Sequence, residues 1–216
     1  MTVAAAVALL ATPLAVPATA QVAADRATPQ QIVSPGQVAT GIFGLEARGS
    51  RFVYVFDRSA SMAEPAGRPL ARAKDELVRS IEQLGDVQQF YVIFYNDRMQ
   101  LFTAAAARGR LVFATDENRR SARRFIESVR ADGGTRHAEP LLAALRLSPD
   151  AIFMLTDGQE GDDLTEDELR RILAAVGRTR CMVVQFGGDG VERSPRLARL
   201  AAESGGSYKL VDATDD

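Results

Sequence analysis

RFVYVFDRSASM, residues 51 to 62, is the stretch on which the interpretation of the whole chain depends. It begins as a short run of β-branched and aromatic residues, which is the pattern of a strand buried on both faces. The run ends in Asp57, and serines follow at positions 59 and 61. A turn that presents residues i, i+2 and i+4 can aim all three side chains at one point. The stretch therefore predicts a buried strand whose carboxyl end carries a cluster of oxygen donors.

The rest of the chain alternates buried strands with amphipathic helices. Further strands are predicted at residues 90–95, 151–155, 181–186 and 207–211. Helices are predicted at residues 68–84, 117–131, 137–146 and 166–176, with a last one beginning at Ser194 and Pro195. The segment MQLF, residues 99–102, follows a turn and is expected to pair antiparallel at an edge. This alternation predicts an α/β protein with a mostly parallel central sheet, one short antiparallel edge strand and helices on both faces.

Oxygen-bearing side chains collect at one edge of this predicted sheet. Asp57, Ser59 and Ser61 follow the first buried strand, Asp157 follows a later one, and Thr135 stands after two glycines in a loop before a helix. Ligands of such sheets bind beyond the carboxyl ends of the strands, and hard cations such as Mg²⁺ prefer oxygen ligands. Each residue alone is better explained as a helix cap or a turn residue. The five together predict a divalent-cation site.

The order and placement of these residues resemble the metal-ion-dependent adhesion site of von Willebrand factor A domains, called vWA domains below. The D-x-S-x-S motif of Asp57, Ser59 and Ser61, the later Thr135 and the later Asp157 all match that site. The segments VYVFDRSASM and FMLTDGQ are similar to the family's two apolar strands with their acidic ends. The resemblance covers about residues 48 to 213. It is specific because three separated elements agree.

The resemblance implies a doubly wound, Rossmann-like α/β fold and a bound Mg²⁺ or Mn²⁺. In the family pattern, Ser59, Ser61 and Thr135 hold the cation, while the two aspartates often act through water. An acidic residue of a partner commonly completes the metal shell. Position 60 departs from the pattern, because many family members have Gly there and this chain has Ala60. Ala is expected to fit unless that position needs a positive φ.

The chain is predicted to bind a partner rather than to catalyse a reaction. Its formal net charge of −2 gives no reason to expect nucleic acid as a partner. One cysteine and one histidine exclude an intramolecular disulfide and metal clusters built from either residue type. The alternative is a metal-dependent hydrolase or phosphatase that uses Asp57, but position 59 is a serine where such phosphatases generally need a second acid, and no nucleophile–base pair is evident. We therefore expect a cation-dependent module that binds a protein or peptide through an exposed Asp or Glu.

The N-terminal segment predicts export. Residues 1–20 contain the uncharged stretch VAAAVALLATPLAVPATA and end in a small-x-small signature, where a signal peptide would be cut. No Lys or Arg precedes the apolar stretch, so an alanine-rich leader is the alternative interpretation. Export would place the protein in the periplasm, in the cell envelope or outside the cell, where an envelope complex is one setting for it. Residues 21–47 are predicted to be a flexible linker, and residues 48–213 the vWA domain.

A basic face, an acidic segment, one histidine and one cysteine lie outside the five predicted site residues. We expect the basic face of helix 117–131 to be solvated rather than to bind a partner. This face consists of Arg119, Arg120, Arg123, Arg124 and Arg130. We expect the acidic residues after Asp157 to form an ordinary loop before a helix. These residues are Glu160, Asp162 and Asp163. His137 is interpreted equally as facing the ligand or as having no role. Cys181 is expected to pack in the core.

Overall fold

The computed structural model describes residues 36–103, 109–158, 161–187 and 191–212. Its strands are β1 (Val38–Ile42), β2 (Leu45–Gly49), β3 (Arg51–Asp57), β4 (Gln89–Tyr95), β5 (Met99–Leu101), β6 (Val112–Phe113), β7 (Ala151–Thr156), β8 (Arg180–Phe186) and β9 (Ser207–Val211). Its helices are α1 (Arg68–Glu82), α2 (Asp116–Ser128), α3 (Ala138–Leu145), α4 (Glu166–Val176) and α5 (Pro195–Glu203). None of the described helices has the length and apolar character needed to cross a membrane. The predicted leader over residues 1–20 lies outside the described residues.

The central sheet has the predicted mostly parallel form. Its strand order is β5-β4-β3-β7-β8-β9, and the inner strands pair in parallel. The short strand β5 pairs antiparallel with β4 at the edge, which confirms the expectation for residues 99–102. The two-residue strand β6 also pairs antiparallel with β4. The sequence did not predict β6, because two residues are too few to show a periodic pattern.

Two apolar layers cover the sheet, one on each face. The strand β3 alternates between them: Tyr54 packs with α1 and α2, while Val55 packs with α3, α4 and α5. Six of the seven residues in β3 and in β4 are fully buried. This explains why both strands are continuous apolar runs rather than alternating ones.

A β-hairpin occupies part of the predicted linker. Strands β1 and β2 pair antiparallel, and Ile42 and Ala47 are buried in the core beside α1. The linker prediction is therefore wrong from Val38 onwards. The hairpin turn falls at Phe43 and Gly44. Both turn residues have positive φ, 47° and 75°, and a phenylalanine in that conformation gives no recognisable turn signal.

The order of the strands creates a switch point between β3 and β7. From β3 the chain moves through α1 to β4 on one side, and it later returns to place β7 on the other side of β3. The connections that leave β3 and β7 therefore diverge to opposite faces of the sheet, and a crevice opens at their carboxyl ends. Asp57 and Asp157 stand at this crevice.

Candidate metal centre

Asp57 is the last residue of β3, and its side chain is completely buried. Its Oδ1 accepts a hydrogen bond from the Ser59 backbone N–H at 2.7 Å, and its Oδ2 accepts one from the Thr156 hydroxyl at 2.7 Å. Burial raises the pKa of Asp57 to about 7, against the opposing effect of these hydrogen bonds and with a smaller contribution from the charge of Asp157. A cation at this point would favour the ionised form.

The two serines of the motif converge as their spacing predicts. Ser59 is buried, and its hydroxyl lies 3.0 Å from the hydroxyl of Ser61. A 3₁₀ turn over Ala60–Ala63 produces this convergence, since it begins directly after Ser59. Ala60 is not among the residues of positive φ. The Cβ that distinguishes this chain from the family pattern is therefore accepted without backbone strain.

The loop that carries Thr135 is attached to the serine motif by backbone hydrogen bonds. The Ala60 N–H donates to the Gly133 carbonyl at 3.0 Å, and the Asp132 N–H donates to the Arg58 carbonyl at 2.9 Å. Thr135 follows two residues later and is half-buried. These bonds hold Thr135 at the same edge of the sheet as Asp57.

Gly133 lets this loop approach the end of β4. Its φ is +72°, and an added Cβ would lie 2.6 Å from Asn96 Nδ2. Asn96 Nδ2 in turn donates to the Asp132 carbonyl at 2.6 Å and to Asp132 Oδ1 at 2.8 Å. Arg58 adds an ion pair to the same carboxylate. The hydrogen bonds from Asn96 and the ion pair with Arg58, all made to Asp132, therefore hold the two site loops together.

Asp157 supplies the observation that most directly favours a cation. Its Oδ1 is buried and has no hydrogen-bond partner among the described residues. Burial raises the pKa of Asp157, and the Ser61 hydroxyl opposes that shift. Neither Asp57 nor Asp157 forms an ion pair with a Lys or Arg of the described part of the chain. A buried carboxylate oxygen without a partner is costly, and a divalent cation would satisfy it.

The donor set fits a hard divalent cation. The structure brings Asp57, Ser59, Ser61 and Asp157 together through direct interactions, and it holds Thr135 nearby through its loop. Within the described ranges, no three His, Cys, Asp or Glu side chains form a metal-binding group. Hydroxyl oxygens would thus have to supply part of the coordination, as Mg²⁺ and Mn²⁺ allow.

His137 does not face the open edge. It is buried, and its Nδ1 lies 2.9 Å from the Tyr95 hydroxyl. Burial lowers the pKa of His137 to about 4, so the ring is neutral at pH 7. Its Nε2 is buried without a hydrogen-bond partner in the described structure. His137 therefore contacts Tyr95 inside the protein and does not line the open edge of the site.

Cys181, the basic face and the acidic segment lie outside the cluster of Asp57, Ser59, Ser61, Thr135 and Asp157. Cys181 is buried in β8 as expected, and burial raises its thiol pKa to about 11. On the basic face, Arg119 pairs with Asp86 and Asp116, which is consistent with a solvated surface. In the acidic segment, Asp163 accepts from Ser194 and Arg196 and so anchors the start of α5, while Glu160 lies outside the described residues.

Two supporting residues were not found from the sequence. Thr156 donates a hydrogen bond to Asp57 Oδ2 at 2.7 Å, and Tyr95 ends β4 directly opposite Asp57 in the register of the sheet. The sequence places Tyr95 in a buried strand and Thr156 directly after the strand at residues 151–155, and neither is assigned to the site. Only the register shows that the last residues of β3, β4 and β7 stand side by side.

Comparisons with known proteins agree with this fold. A family model described as von Willebrand factor type A domain matches residues 50–210. Human inter-alpha-trypsin inhibitor heavy chain H4 is 28% identical over 189 residues, which is 80% of this chain and 19% of the relative. The chain therefore spans about a fifth of the length of the curated relatives it matches.

Two solved structures show the same fold. A von Willebrand factor type A protein from Catenulispora acidiphila has a TM-score of 0.66 and 21% identity, over 81% of this chain and 43% of that one. Proximal thread matrix protein 1 from the mussel byssus, solved with a zinc-occupied metal-ion-dependent adhesion site, has a TM-score of 0.59 and 16% identity. That match covers 82% of this chain and 44% of the mussel protein.

Proposed function

Because the chain belongs to the von Willebrand factor type A domain family, we propose that it is a non-enzymatic, divalent-cation-dependent protein-binding module. Ser59, Ser61 and Thr135 would hold Mg²⁺ or Mn²⁺ directly, and Asp57 and Asp157 would supply negative charge. The observation that carries the proposal is a pair of aspartates at the switch point: Asp57 is completely buried, and Asp157 has a buried oxygen without a hydrogen-bond partner among the described residues. The metal-occupied site of the mussel neighbour supports it.

The bound cation would supply a positive charge with an open coordination position, which can accept a carboxylate oxygen of a partner. The chain's own residues prepare that position. The Ser59 N–H and the Thr156 hydroxyl orient Asp57, and the hydrogen bonds from Ala60 to Gly133 keep the Thr135 loop against the motif. The partner is therefore a protein or peptide with an exposed Asp or Glu side chain.

The alternative function, a metal-dependent hydrolase or phosphatase that uses Asp57, is not favoured by the position of this residue. Asp57 is 0% exposed, and both of its oxygens accept hydrogen bonds from within the protein. A nucleophilic carboxylate must reach its substrate. The burial of Asp57 therefore argues for a charge-supplying role.

Export remains part of the proposal and depends on the sequence of residues 3–20. Expression with the intact N-terminus, followed by fractionation and N-terminal sequencing, would test it. A mature chain that begins at Gln21 in an exported fraction is expected. A full-length chain confined to the cytoplasm would contradict export. An association with an envelope complex becomes testable only in the exported case.

The binding function can be tested with peptides of defined chemistry. Immobilised protein would be offered a mixture of random peptides with one fixed Asp or Glu, and a matched mixture with Asn or Gln at that position. We expect retention of acidic peptides in Mg²⁺ or Mn²⁺, and release by a chelator. Equal retention of the amide mixture, or retention that survives the chelator, would contradict recognition through a cation.

A further inference from the structure

A completely buried glutamine lies beside the loop that carries Asp157. Gln185 is the last residue but one of β8, and its side chain has no exposed surface. In the parallel register it pairs with Thr156, the last residue of β7. Asp157 and Gly158 follow Thr156 directly. Gln185 therefore stands next to the start of the Asp157 loop, on the side away from β3.

The side-chain amide of Gln185 forms four hydrogen bonds. Its Nε2 donates to the carbonyls of Gly158 at 3.4 Å and of Glu192 at 3.0 Å. Its Oε1 accepts from the Ser194 N–H at 2.9 Å and from the Tyr208 hydroxyl. Carbonyls only accept and a backbone N–H only donates, so these partners fix the orientation of the amide. Both N–H groups and both lone pairs of the amide are thus in use.

Gly158 lets the amide approach the backbone of the Asp157 loop. Its φ is +55°, and an added Cβ would lie 2.5 Å from Gln185 Nε2. The same combination occurs on the other side of the site, where Gly133 has a φ of +72° and an added Cβ would lie 2.6 Å from Asn96 Nδ2. On each side of the site, a buried amide from the end of a flanking strand contacts a loop at a glycine of positive φ.

A second contact joins the same two loops farther along the chain. Asp163 accepts hydrogen bonds from the Ser194 hydroxyl at 2.5 Å and from the Arg196 N–H at 3.2 Å. The segment between β7 and α4 is therefore attached to the start of α5 at Asp163, as well as to the segment before α5 through Gln185 at Gly158. Both attachments consist of hydrogen bonds to buried or half-buried groups.

We propose that Gln185 is a positioning residue that holds the Asp157 loop in place for the cation and makes residues 192–194 part of the support of the site. Its role matches that of Asn96 toward the Thr135 loop. The role toward a cation rests on the proposed function. The attachment of the two loops is a property of the metal-free protein and can be tested without a metal.

A purely structural role for Gln185 is the competing explanation. In that case its bonds to Glu192, Ser194 and Tyr208 would hold β8, β9 and α5 together, and the contact with Gly158 would be incidental. Loss of the amide would then lower the stability of the protein without a particular effect on the Asp157 loop or on cation affinity. The two explanations differ in what happens at Gly158.

The first test is amide hydrogen exchange of the metal-free full chain, followed by NMR. Gln185→Met keeps the length of the side chain and removes its polar atoms. The Gly158 N–H donates to Thr156 Oγ1, which the substitution leaves intact, so its exchange reports the order of the Asp157 loop. We expect about fivefold faster exchange at Gly158, the effect of one lost hydrogen bond. The Asp132 N–H, on the β4 side of the site, should exchange as in the wild type.

Unchanged exchange at Gly158 would overturn the proposal, and so would an equal acceleration at Gly158 and Asp132. A second variant approaches the contact from the other side and does not depend on the folding of Gln185→Met. Gly158→Ala places a Cβ against Gln185 and should displace its amide. The Ser194 N–H, 36 residues away in the sequence, should then exchange about fivefold faster. Wild-type exchange at Ser194 in the folded variant would also overturn the proposal.

The second test is Mn²⁺ titration. Residues behind metal ligands typically change metal affinity by about 10- to 100-fold, and we expect about tenfold weaker binding in Gln185→Met. Thr179→Val is the matched control, because it removes a buried hydrogen bond, 2.7 Å to the Pro149 carbonyl, just before the opposite end of β8. It should lose stability and keep the wild-type affinity. Wild-type affinity in Gln185→Met, or an equal loss in Thr179→Val, would overturn the positioning role.

The two tests separate this inference from the proposed function. If the folded wild type binds no Mn²⁺, the proposed cation site fails. Hydrogen exchange would still decide the attachment of the loops: faster exchange at Gly158 in Gln185→Met and at Ser194 in Gly158→Ala supports it, and unchanged exchange refutes it.

Discussion

Gly133→Ala should destabilise the protein strongly, although it adds a single methyl group. Gly133 has a φ of +72°, where an L-residue other than Gly costs about 1–2 kcal/mol. The new Cβ would lie 2.6 Å from Asn96 Nδ2, which is closer than real contacts allow. Asn96 would have to move, and its two hydrogen bonds to Asp132 would be lost. Each such bond contributes about 1 kcal/mol, so we expect a total loss of about 3–4 kcal/mol.

Gly134→Ala is the matched control for this prediction. A Cβ at Gly134 meets nothing within 4 Å, and its φ is not in the left-handed region. Its effect on the free energy of unfolding should be within about 0.5 kcal/mol. Urea unfolding of both variants gives the comparison, provided that the denaturant slopes match that of the wild type. Equal stability of the two variants would refute the close approach of the Thr135 loop to Asn96.

Three further predictions concern the hairpin, a helix cap and the core thiol. Ile42→Ala should cost about 2–5 kcal/mol in urea unfolding, since Ile42 is completely buried; a loss below about 0.5 kcal/mol would mean that the hairpin is not part of the core. Thr165→Ala removes the capping box of α4 and should cost about 1 kcal/mol, whereas an unchanged unfolding midpoint would speak against the cap. Cys181 should resist a thiol reagent at pH 8, because burial raises its thiol pKa to about 11 and blocks access; labelling of the native protein as fast as in urea would contradict this.

The strand ends were predictable because their signals are local. Asp57 and Asp157 each end an apolar run, and parallel strands in a doubly wound sheet bring such ends to one edge. The predicted starts of α4 and α5 are confirmed, and their signals are equally local, since the side chains of Thr165 and Ser194 cap the two helices. The antiparallel strand at residues 99–101 was predictable from the turn before it.

The features that were missed depend on pairing or on unusual backbone conformations. The hairpin turns at Phe43, whose φ of 47° no propensity argument favours. The alignment of Tyr95 with Asp57 appears only when the register of β3 and β4 is known. The sequence leaves His137, two residues from Thr135, equally as facing the ligand or as having no role, and the structure turns it inward to Tyr95. Distance along the sequence does not give the direction of a side chain.

Calorimetric titration with Mn²⁺ tests the central claim most directly. Wild type would be compared with Asp57→Ala and with Asp86→Ala as a control. Asp86 is an exposed carboxylate just before the amino end of β4, whereas the site lies at the carboxyl ends of the strands. Circular dichroism and thermal unfolding would establish that all three proteins are folded. We expect saturable one-site binding in the wild type and in Asp86→Ala, and none in Asp57→Ala. Equal binding by Asp57→Ala, or no binding by the folded wild type, would contradict a cation site at this edge of the sheet.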